Sequence, residues 1–208
     1  MRGRRRDSMS LVYKNIWGYR LVMNALYLGR YSLRFTHVIS CIESYRLKET
    51  KVLELCSGDI YIAKWAHSVG LGYIGFDVNY RFVRYAVKRG FDVRLVDLNK
   101  VKQFPDASIA VMMGSLYHFH YNLKDFVDRV MASVKRFIIS EPIRNLSQTA
   151  GILGWIAQRS ANVGKGNESF RYDESGLIEA LIKVCGDVYL CKVLMRDRKD
   201  IIIEILWK

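Results

Sequence analysis

Short apolar runs alternate with amphipathic stretches from residue 51 onward. Five of the runs have the length and composition of buried β-strands: KVLEL (51–55), YIGFD (73–77), VRLVD (93–97), AVMMG (110–114) and RFIISE (136–141). Between them apolar residues recur at helical spacing, most clearly over residues 123–134. Strands that alternate with helices predict βαβ units and a parallel sheet covered on both faces.

The two ends of the chain depart from this alternation. Residues 8–47 carry apolar and aromatic side chains at mixed helical spacing, which predicts two or three short helices forming an N-terminal cap. Near the other end, apolar runs at 189–195 and 201–207 flank a short charged turn, which predicts a hairpin. The sequence therefore predicts an α/β fold: a doubly wound, mostly parallel sheet with a C-terminal antiparallel hairpin and an N-terminal helical cap.

Length and composition fit one soluble domain. The chain has 208 residues, half of them hydrophobic and a quarter charged. Its apolar runs are too short to span a bilayer, and no stretch resembles a signal peptide, so we expect a cytoplasmic protein. The four cysteines (41, 56, 185 and 191) lack metal-ligand spacing and are expected to be free thiols. A disulfide between Cys185 and Cys191 is the less favoured alternative.

Positive charge is concentrated near the N-terminus. The formal net charge is +13, and residues 1–51 hold 11 Lys/Arg against 3 Asp/Glu. Arg2, Arg4, Arg5 and Arg6 form a short basic arm. Such an arm is suited to nucleic acid or an anionic membrane surface, and a solvated tail without a partner is the equally weighted alternative.

Ligands of doubly wound sheets bind at the carboxyl ends of the strands, near the point where strand order reverses. Glu54 ends the first predicted strand, and Gly58 follows in a tight turn where glycine allows a close approach of the backbone to a ligand. Asp77 ends the second strand and is followed by Asn79; its carboxylate can accept hydrogen bonds from two ribose hydroxyls. We expect these side chains to meet at one edge of the sheet.

The third and fourth predicted strands also end in, or are followed by, residues that are suited to bind a ligand. Asp97 at the end of the third strand can accept a hydrogen bond from an exocyclic amine. Gly114 and Ser115 after the fourth strand leave room beside a bound ligand. A nicotinamide dehydrogenase is disfavoured, because the first turn has one glycine and Asp59 would repel a pyrophosphate.

Four motifs in this order resemble those of the class I S-adenosylmethionine (SAM)-dependent methyltransferases, which have a Rossmann-like fold. VLELCSGDI resembles the family's first strand and glycine-rich turn, GFDVN and LVDLN its second and third motifs, and SLYHF its segment after the fourth strand. ISEPI (139–143) is similar to the fifth strand end of members that act on small molecules. The resemblance covers about residues 50–208. It implies SAM as cofactor, held by Glu54, Cys56, Ser57, Gly58, Asp77, Val78, Asn79, Asp97, Leu98, Gly114 and Ser115.

Three positions depart from the family pattern. Cys56 stands where the family has its first glycine, Ile60 where it has its third, and Ala110 where an acidic residue is common early in the fourth strand. The β-branched side chain of Ile60 could narrow the site for the methionine part of the cofactor. A member that binds SAM or a partner without catalysing transfer is therefore a further alternative.

His118 is the candidate catalytic residue, since it follows the fourth strand where the methyl group should lie and could act as a general base towards a hydroxyl. The alternative is a structural histidine bonded to a backbone carbonyl. His118 and His120 have no third ligand at metal-binding spacing, so we predict no metal site. Tyr117 and Tyr172 are candidates for shaping the pocket.

The domain division follows from these assignments. Residues 1–47 are predicted to form the basic arm and helical cap, and residues 48–208 the methyltransferase domain, with a lid-like insertion at 143–172. The aromatic cap and the insertion favour O-methyl transfer to a small-molecule, sugar or lipid-linked acceptor. The basic arm and net charge favour the alternative of an RNA or other nucleic-acid methyltransferase. The sequence leaves the acceptor and the oligomeric state open.

Overall fold

A seven-stranded sheet organises the chain, for which the computed structural model describes residues 15–45, 50–143 and 170–208. The strands are β1 Lys51–Leu55, β2 Gly72–Asp77, β3 Val93–Leu95, β4 Ile109–Met113, β5 Arg136–Pro142, β6 Tyr189–Arg196 and β7 Asp200–Trp207. The α-helices are α1 Ile16–Leu26, α2 Tyr31–Glu43, α3 Tyr61–Ser68, α4 Tyr80–Val87, α5 Leu123–Met131 and α6 Glu174–Cys185. Two 3₁₀ helices, Leu98–Lys100 and Leu116–Asn122, follow β3 and β4.

The strand order is β3-β2-β1-β4-β5-β7-β6. The first five strands are parallel, and β7 pairs antiparallel with both β5 and β6. This confirms the predicted doubly wound sheet with its C-terminal antiparallel hairpin. The chain winds from β1 to one edge through β2 and β3, then returns to continue on the other side of β1 with β4. The topological switch point, where ligands of such sheets bind, therefore lies between β1 and β4.

Helices cover both faces of the sheet. Leu53 and Leu55 of β1 lie on one face in a core that includes Phe126 of α5 and Leu181 of α6. Val52 lies on the opposite face in a second core shared with α2 and α3. The alternation of side chains along a strand explains why one apolar run supplies both cores. The α2 helix thus belongs to the layer on one face, and α1 packs beside it against α4.

The third strand departs from the sequence-based expectation. We predicted a buried strand over 93–97, but β3 ends at Leu95 and forms an edge of the sheet. At this edge Leu95 is 59% exposed. Asp97 lies beyond the strand, where its side chain accepts a hydrogen bond from the Asn99 N–H (3.2 Å) and caps the first of the two 3₁₀ helices.

Two sequence-based assignments fall outside the described residues: the basic arm at residues 2–6 and all but the ends of the insertion at 143–172. The two N-terminal helices confirm the helical cap, whereas the division into residues 1–47 and 48–208 stays a prediction. Among the described helices, none has both the length and the apolarity needed to cross a membrane.

Candidate functional site

The turn after β1 is built by two residues in the left-handed region of backbone space. Cys56 has φ +57° and Gly58 has φ +50°. The residue between them is tied to the next strand, since the Ser57 N–H donates to the carbonyl oxygen of Phe76 (2.9 Å). A left-handed conformation costs free energy in any residue with a Cβ atom, so Gly58 is suited to its position and Cys56 is strained.

Asp77 joins this turn to the turn after β2. Its Oδ2 accepts a hydrogen bond from the Gly58 N–H and its Oδ1 one from the Asn79 N–H, both at 2.7 Å. Burial raises the pKa of Asp77, while these backbone donors act in the opposite direction. The Val78 backbone N–H is a third donor to this carboxylate, whose roughly four lone-pair sites still leave room for a hydrogen bond from a ligand such as a ribose.

Glu54 lies buried beneath the turn with a partner of its own. The Tyr73 hydroxyl donates a short hydrogen bond to Oε2 of Glu54. Burial raises the pKa of Glu54 well above its ordinary range, and the charges of Asp59 and Asp77 act in the same direction. The carboxyl group predicted to face a cationic ligand is therefore anchored by the protein through Tyr73, and burial disfavours its charged form.

An ion pair from the N-terminal helices closes over the same turn. The guanidinium of Arg20 on α1 binds the carboxylate of Asp59 with two hydrogen bonds, from Nε to Oδ2 (2.8 Å) and from Nη2 to Oδ1 (2.6 Å). The Asp59 side chain is fully buried. Arg20 also lies over the rings of Trp17, Tyr61 and Tyr85, at 5.3 to 5.7 Å from their centroids. This pair neutralises Asp59 and fixes α1 beside the candidate cofactor site.

The remaining residues predicted to bind the cofactor differ in their exposure to solvent. Val78, between Asp77 and Asn79, is 41% exposed and is available to a ligand. Asn79 is buried and caps α4 by accepting a hydrogen bond from the Arg81 N–H (3.1 Å). Leu98, predicted to lie beside the adenine ring, is 5% exposed and packs in the core that contains Phe104.

Gly114 ends β4 in a left-handed conformation, with φ +64°. Its N–H donates to the carbonyl oxygen of Ser140 (2.7 Å), which links the ends of β4 and β5. A Cβ atom at this position would lie 3.1 Å from Nη2 of Arg34, a residue of α2. Glycine is therefore required both by the backbone and by the close approach of this guanidinium.

His118 lies on the 3₁₀ helix that follows Gly114 and Ser115. It is half-buried, its ring centroid is 4.0 Å from that of Tyr117, and its backbone N–H donates to the carbonyl oxygen of Ser115 (3.2 Å). The structure thus places the predicted catalytic residue beside the end of β4, on the same edge of the sheet as Asp77.

Three charged residues at this edge escaped the sequence-based prediction: Arg34, Glu141 and Asp200. Burial raises the pKa of Glu141 to about 7, although its Oε2 accepts a hydrogen bond from the Leu116 N–H (3.1 Å) and Arg34 lies nearby. Burial and the Glu141 charge raise the pKa of neighbouring Tyr172 to about 12. Glu141 had a sequence signal, being an acidic residue at the end of an apolar run. Arg34 had no such signal, because its place in the site depends on its contact with Asp200, which is distant in the sequence.

Comparisons with solved structures identify this architecture. The chain superposes on the PH0226 protein of Pyrococcus horikoshii with a TM-score of 0.60 at 19% identity, covering 86% of this chain and 91% of that one. It superposes on magnesium protoporphyrin IX methyltransferase from Synechocystis, solved with bound SAH, with a TM-score of 0.59 at 12% identity, covering 88% and 85%. The 16S rRNA methyltransferase RmtF, also solved with S-adenosyl-L-homocysteine, gives 0.58 at 17% identity, covering 90% and 68%.

The chain has the class I SAM-dependent methyltransferase fold. No protein-family model matches the sequence, and no characterised protein matches it significantly by sequence alone. The likeness is therefore one of architecture.

The departures from the methyltransferase motif are accommodated in different ways. Ile60 is 2% exposed and packs with Ala63, Ala86 and Val93 in a small core between the helices and β3. Its β-branched side chain therefore packs in the protein interior and does not line the turn. Cys56 adopts a left-handed backbone conformation that favours glycine, at a cost in strain.

Proposed function

We propose that this protein is a SAM-dependent methyltransferase. The observation that carries the proposal is the carboxylate of Asp77, which binds the N–H groups of Gly58 and Asn79 and so holds two turns together at the switch point. A buried carboxylate with a lone-pair site left over suits a hydroxyl of a ribose. Two proteins of the same fold, named above, were solved with the demethylated cofactor in place.

The charges around the first turn favour a cationic cofactor over a phosphorylated one. Glu54, Asp59 and Asp77 lie close enough to influence one another electrostatically. Arg20 neutralises only Asp59, so the turn presents no excess of positive charge to a pyrophosphate. The sulfonium of SAM carries a positive charge and no phosphate, and it is compatible with the carboxylate of Asp77, which has no cationic partner among the described residues.

For the acceptor we propose a small molecule, methylated on oxygen. The N-terminal helices reach the end of β4 and the start of β7: Arg34 of α2 approaches Gly114, and the hydroxyl of Tyr27, the residue after α1, donates to Oδ1 of Asp200 (2.9 Å). A covered strand end suits a compact acceptor held away from water. In this proposal an acceptor oxygen attacks the methyl carbon in line with the breaking S–CH3 bond, the electron pair stays on sulfur, and His118 takes the hydroxyl proton.

Transfer to RNA is the second candidate, and the surface of α4 favours it. Arg84, Lys88 and Arg89 are exposed at the C-terminal end of this helix and in the turn that follows, towards the start of β3. Basic side chains on one surface neutralise phosphates, and RNA binding through them would weaken steeply with salt. Of two methyltransferases with this fold, one is named for a porphyrin and one for 16S rRNA, so the fold itself favours neither acceptor.

Calorimetric titration with SAM and with its demethylated product tests the cofactor. We expect both to bind, and Asp77→Asn to weaken binding by about tenfold or more, because a charge-assisted hydrogen bond contributes roughly 1.5–3 kcal/mol. The matched control is Asp187→Asn, which changes a fully exposed aspartate. Failure of the wild-type protein to bind either ligand would refute the proposal.

Two further measurements address the acceptor. His118→Asn should leave cofactor affinity unchanged and slow the production of demethylated cofactor in the presence of an acceptor. Binding of a structured RNA that falls steeply between low and physiological salt would favour the second candidate. Cofactor binding without turnover on small molecules or RNA would favour a non-catalytic role.

A further inference from the structure

Four buried polar atoms gather where α2 meets the carboxyl end of β5. They are Nε and Nη2 of Arg34, Oδ2 of Asp200 and Oγ of Ser140. None of them has a hydrogen-bond partner within the described part of the chain. Arg34 is 5% exposed and Asp200 3%. Buried polar groups in folded proteins are nearly always hydrogen-bonded, so this concentration calls for a physical explanation.

Strand register places these atoms on one side of the sheet. Pro142 of β5 pairs with Asp200 and Ser140 pairs with Ile202, and directly opposed residues of antiparallel strands point to the same face. Ile202 belongs to the core formed with α2, so Asp200 and Ser140 face that helix. Nε of Arg34 lies 3.3 Å from Oδ2 of Asp200 without hydrogen-bonding geometry, and Nη2 lies against Gly114.

The ion pair of Arg20 on α1 shows what this edge of a guanidinium binds in the same protein. Arg20 uses its Nε and Nη2 together to hold both oxygens of the Asp59 carboxylate. In Arg34 the same two nitrogens have no hydrogen-bond partner in the described structure. The planar fork of arginine matches a carboxylate in this bidentate way.

The charge balance around Arg34 also favours an anion. Its partner Asp200 is already bound by the Tyr27 hydroxyl and lies beside Lys199, whose ammonium group is 4.4 Å from the centroid of the Tyr27 ring. Arg171 influences Glu141 electrostatically from the opposite side of the same strand end. On the side of Asp200, the two cations Arg34 and Lys199 face one carboxylate, which leaves positive charge for a ligand.

We infer that Arg34, with Asp200 and Ser140, forms a subsite that binds a carboxylate of the methyl acceptor. Such an acceptor is a small carboxylic acid, and a hydroxyl beside its carboxylate could donate to Oδ2 of Asp200. This inference rests on the proposed methyltransferase function and specifies its substrate class.

The position of Asp200 and Ser140 in the sheet favours the acceptor over the cofactor as the ligand of this subsite. Asp77, Gly58 and Asn79 lie at the ends of β1 and β2, on one side of the switch point. Asp200 begins β7, three strands beyond β1 in the order β1-β4-β5-β7, which is about 14 Å at the usual strand spacing. The carboxylate of a cofactor seated on Asp77 would have to cross β4 and β5 to reach Asp200. Arg34 itself extends to Gly114 at the end of β4, so cofactor titration of a double variant at Arg34 and Asp200 separates an acceptor subsite from a cofactor contact.

The test uses benzoate as the probe and benzamide as its uncharged analogue, titrated by NMR into the protein saturated with demethylated cofactor. We expect benzoate to bind at least about tenfold more tightly than benzamide, since only benzoate offers the anionic pair of oxygens. Equal affinity for the two, or no binding of benzoate, would overturn the inference. If the protein binds no cofactor, the same titration of the free protein still tests the subsite, so the two proposals fail separately.

Two variants locate the binding at Arg34. Asp200→Asn removes the competing negative charge and should tighten benzoate binding by about threefold or more. The double variant Arg34→Met with Asp200→Asn removes both buried charges together, which avoids an unpaired ion and preserves folding. It should abolish the preference for benzoate while leaving affinity for the demethylated cofactor within about threefold. Loss of cofactor affinity by tenfold in the double variant would show that Arg34 serves the cofactor, and would also overturn the inference.

Discussion

Arg20 and Asp59 form a bidentate ion pair that joins the first helix to the turn after β1. The two hydrogen bonds are 2.6 and 2.8 Å long, and the exposed fractions of the two side chains are 17% and 0%. The two residues therefore differ in how well water can replace the lost partner when the other is substituted. Arg20 can regain contact with water, whereas the Asp59 carboxylate cannot.

We predict that Arg20→Met destabilises the protein more than Asp59→Asn does. Removing the arginine leaves a buried, unpaired carboxylate and should cost about 3 kcal/mol or more in the free energy of unfolding. The asparagine variant keeps an oxygen for the Ile60 N–H, which Asp59 binds at 2.8 Å, and should cost about 1–2 kcal/mol. Urea denaturation of both single variants and the double variant measures the coupling. Equal costs for the two single variants would contradict this account.

Cys56 supplies a second prediction, because its φ of +57° suits glycine. Cys56→Gly and Cys56→Ala both remove the thiol, so their difference isolates backbone strain. The glycine variant should be more stable than the alanine variant by about 1 kcal/mol. Ser57→Gly compared with Ser57→Ala is the control, since Ser57 has no positive φ and glycine there should be the less stable choice. Thermal unfolding of the four variants gives the comparison, and a more stable alanine at position 56 would disprove the strain.

The strands of the sheet could be predicted from the sequence, because a short apolar run is typical of a strand buried in a sheet. β1 was predicted at 51–55 and has those bounds, and the terminal hairpin was found from the charged turn between its strands. The third strand was predicted too long. VRLVD is as apolar as the other runs, but pattern alone does not show that a strand lies at an edge, where exposure begins at Arg94.

The candidate site was predictable only where a side chain follows its own strand. Asp77, Gly58 and Gly114 lie at strand ends, so topology brings them to one edge of the sheet. Arg34 belongs to a helix that reaches this edge from the N-terminal cap, and Asp200 reaches it because β7 runs antiparallel. Leu98 was assigned to the adenine by resemblance, whereas the structure packs its side chain in the core.

Glu141 gives a prediction for the dependence of stability on pH. Burial raises its pKa from an ordinary value of 4.5 to about 7, so the folded protein holds this proton more tightly than the unfolded chain. The resulting stabilisation is complete below about pH 4.5 and is lost as the pH rises to 7. A shift of this size corresponds to about 3 kcal/mol.

The side chain in the variant Glu141→Gln does not titrate, so the variant should not lose this stability as the pH rises from 4.5 to 7. Urea denaturation of the variant and the wild-type protein from pH 4.5 to 7.5 measures the difference. The charges facing Glu141 are those of Arg34, Asp200 and Arg171, and they remain in both proteins, as do the raised carboxyls Glu54 and Asp77. Parallel stability curves over this range would show that Glu141 has an ordinary pKa in the folded state.

Gly75 of β2 is required by the hydrogen bond between Tyr73 and Glu54. A Cβ atom at Gly75 would lie 2.6 Å from the Tyr73 hydroxyl oxygen and 3.0 Å from Cγ2 of Val93. Gly75→Ala should therefore displace the hydroxyl from Glu54 and destabilise the protein by about 1–3 kcal/mol. Gly72→Ala in the same strand is the control, because a Cβ atom there would meet only Lys51, at 3.4 Å or more.

Removing the hydroxyl provides the decisive comparison for this site. Tyr73→Phe alone leaves the buried Glu54 without its donor and should cost about 1–3 kcal/mol. In the double variant with Gly75→Ala the closest clash is gone, so the total cost should fall short of the sum of the two single costs by about 1 kcal/mol. Urea denaturation of the four proteins completes the cycle. Strict additivity would mean that the added methyl group is accommodated without moving Tyr73, and that Gly75 has no part in positioning Glu54 beneath the turn.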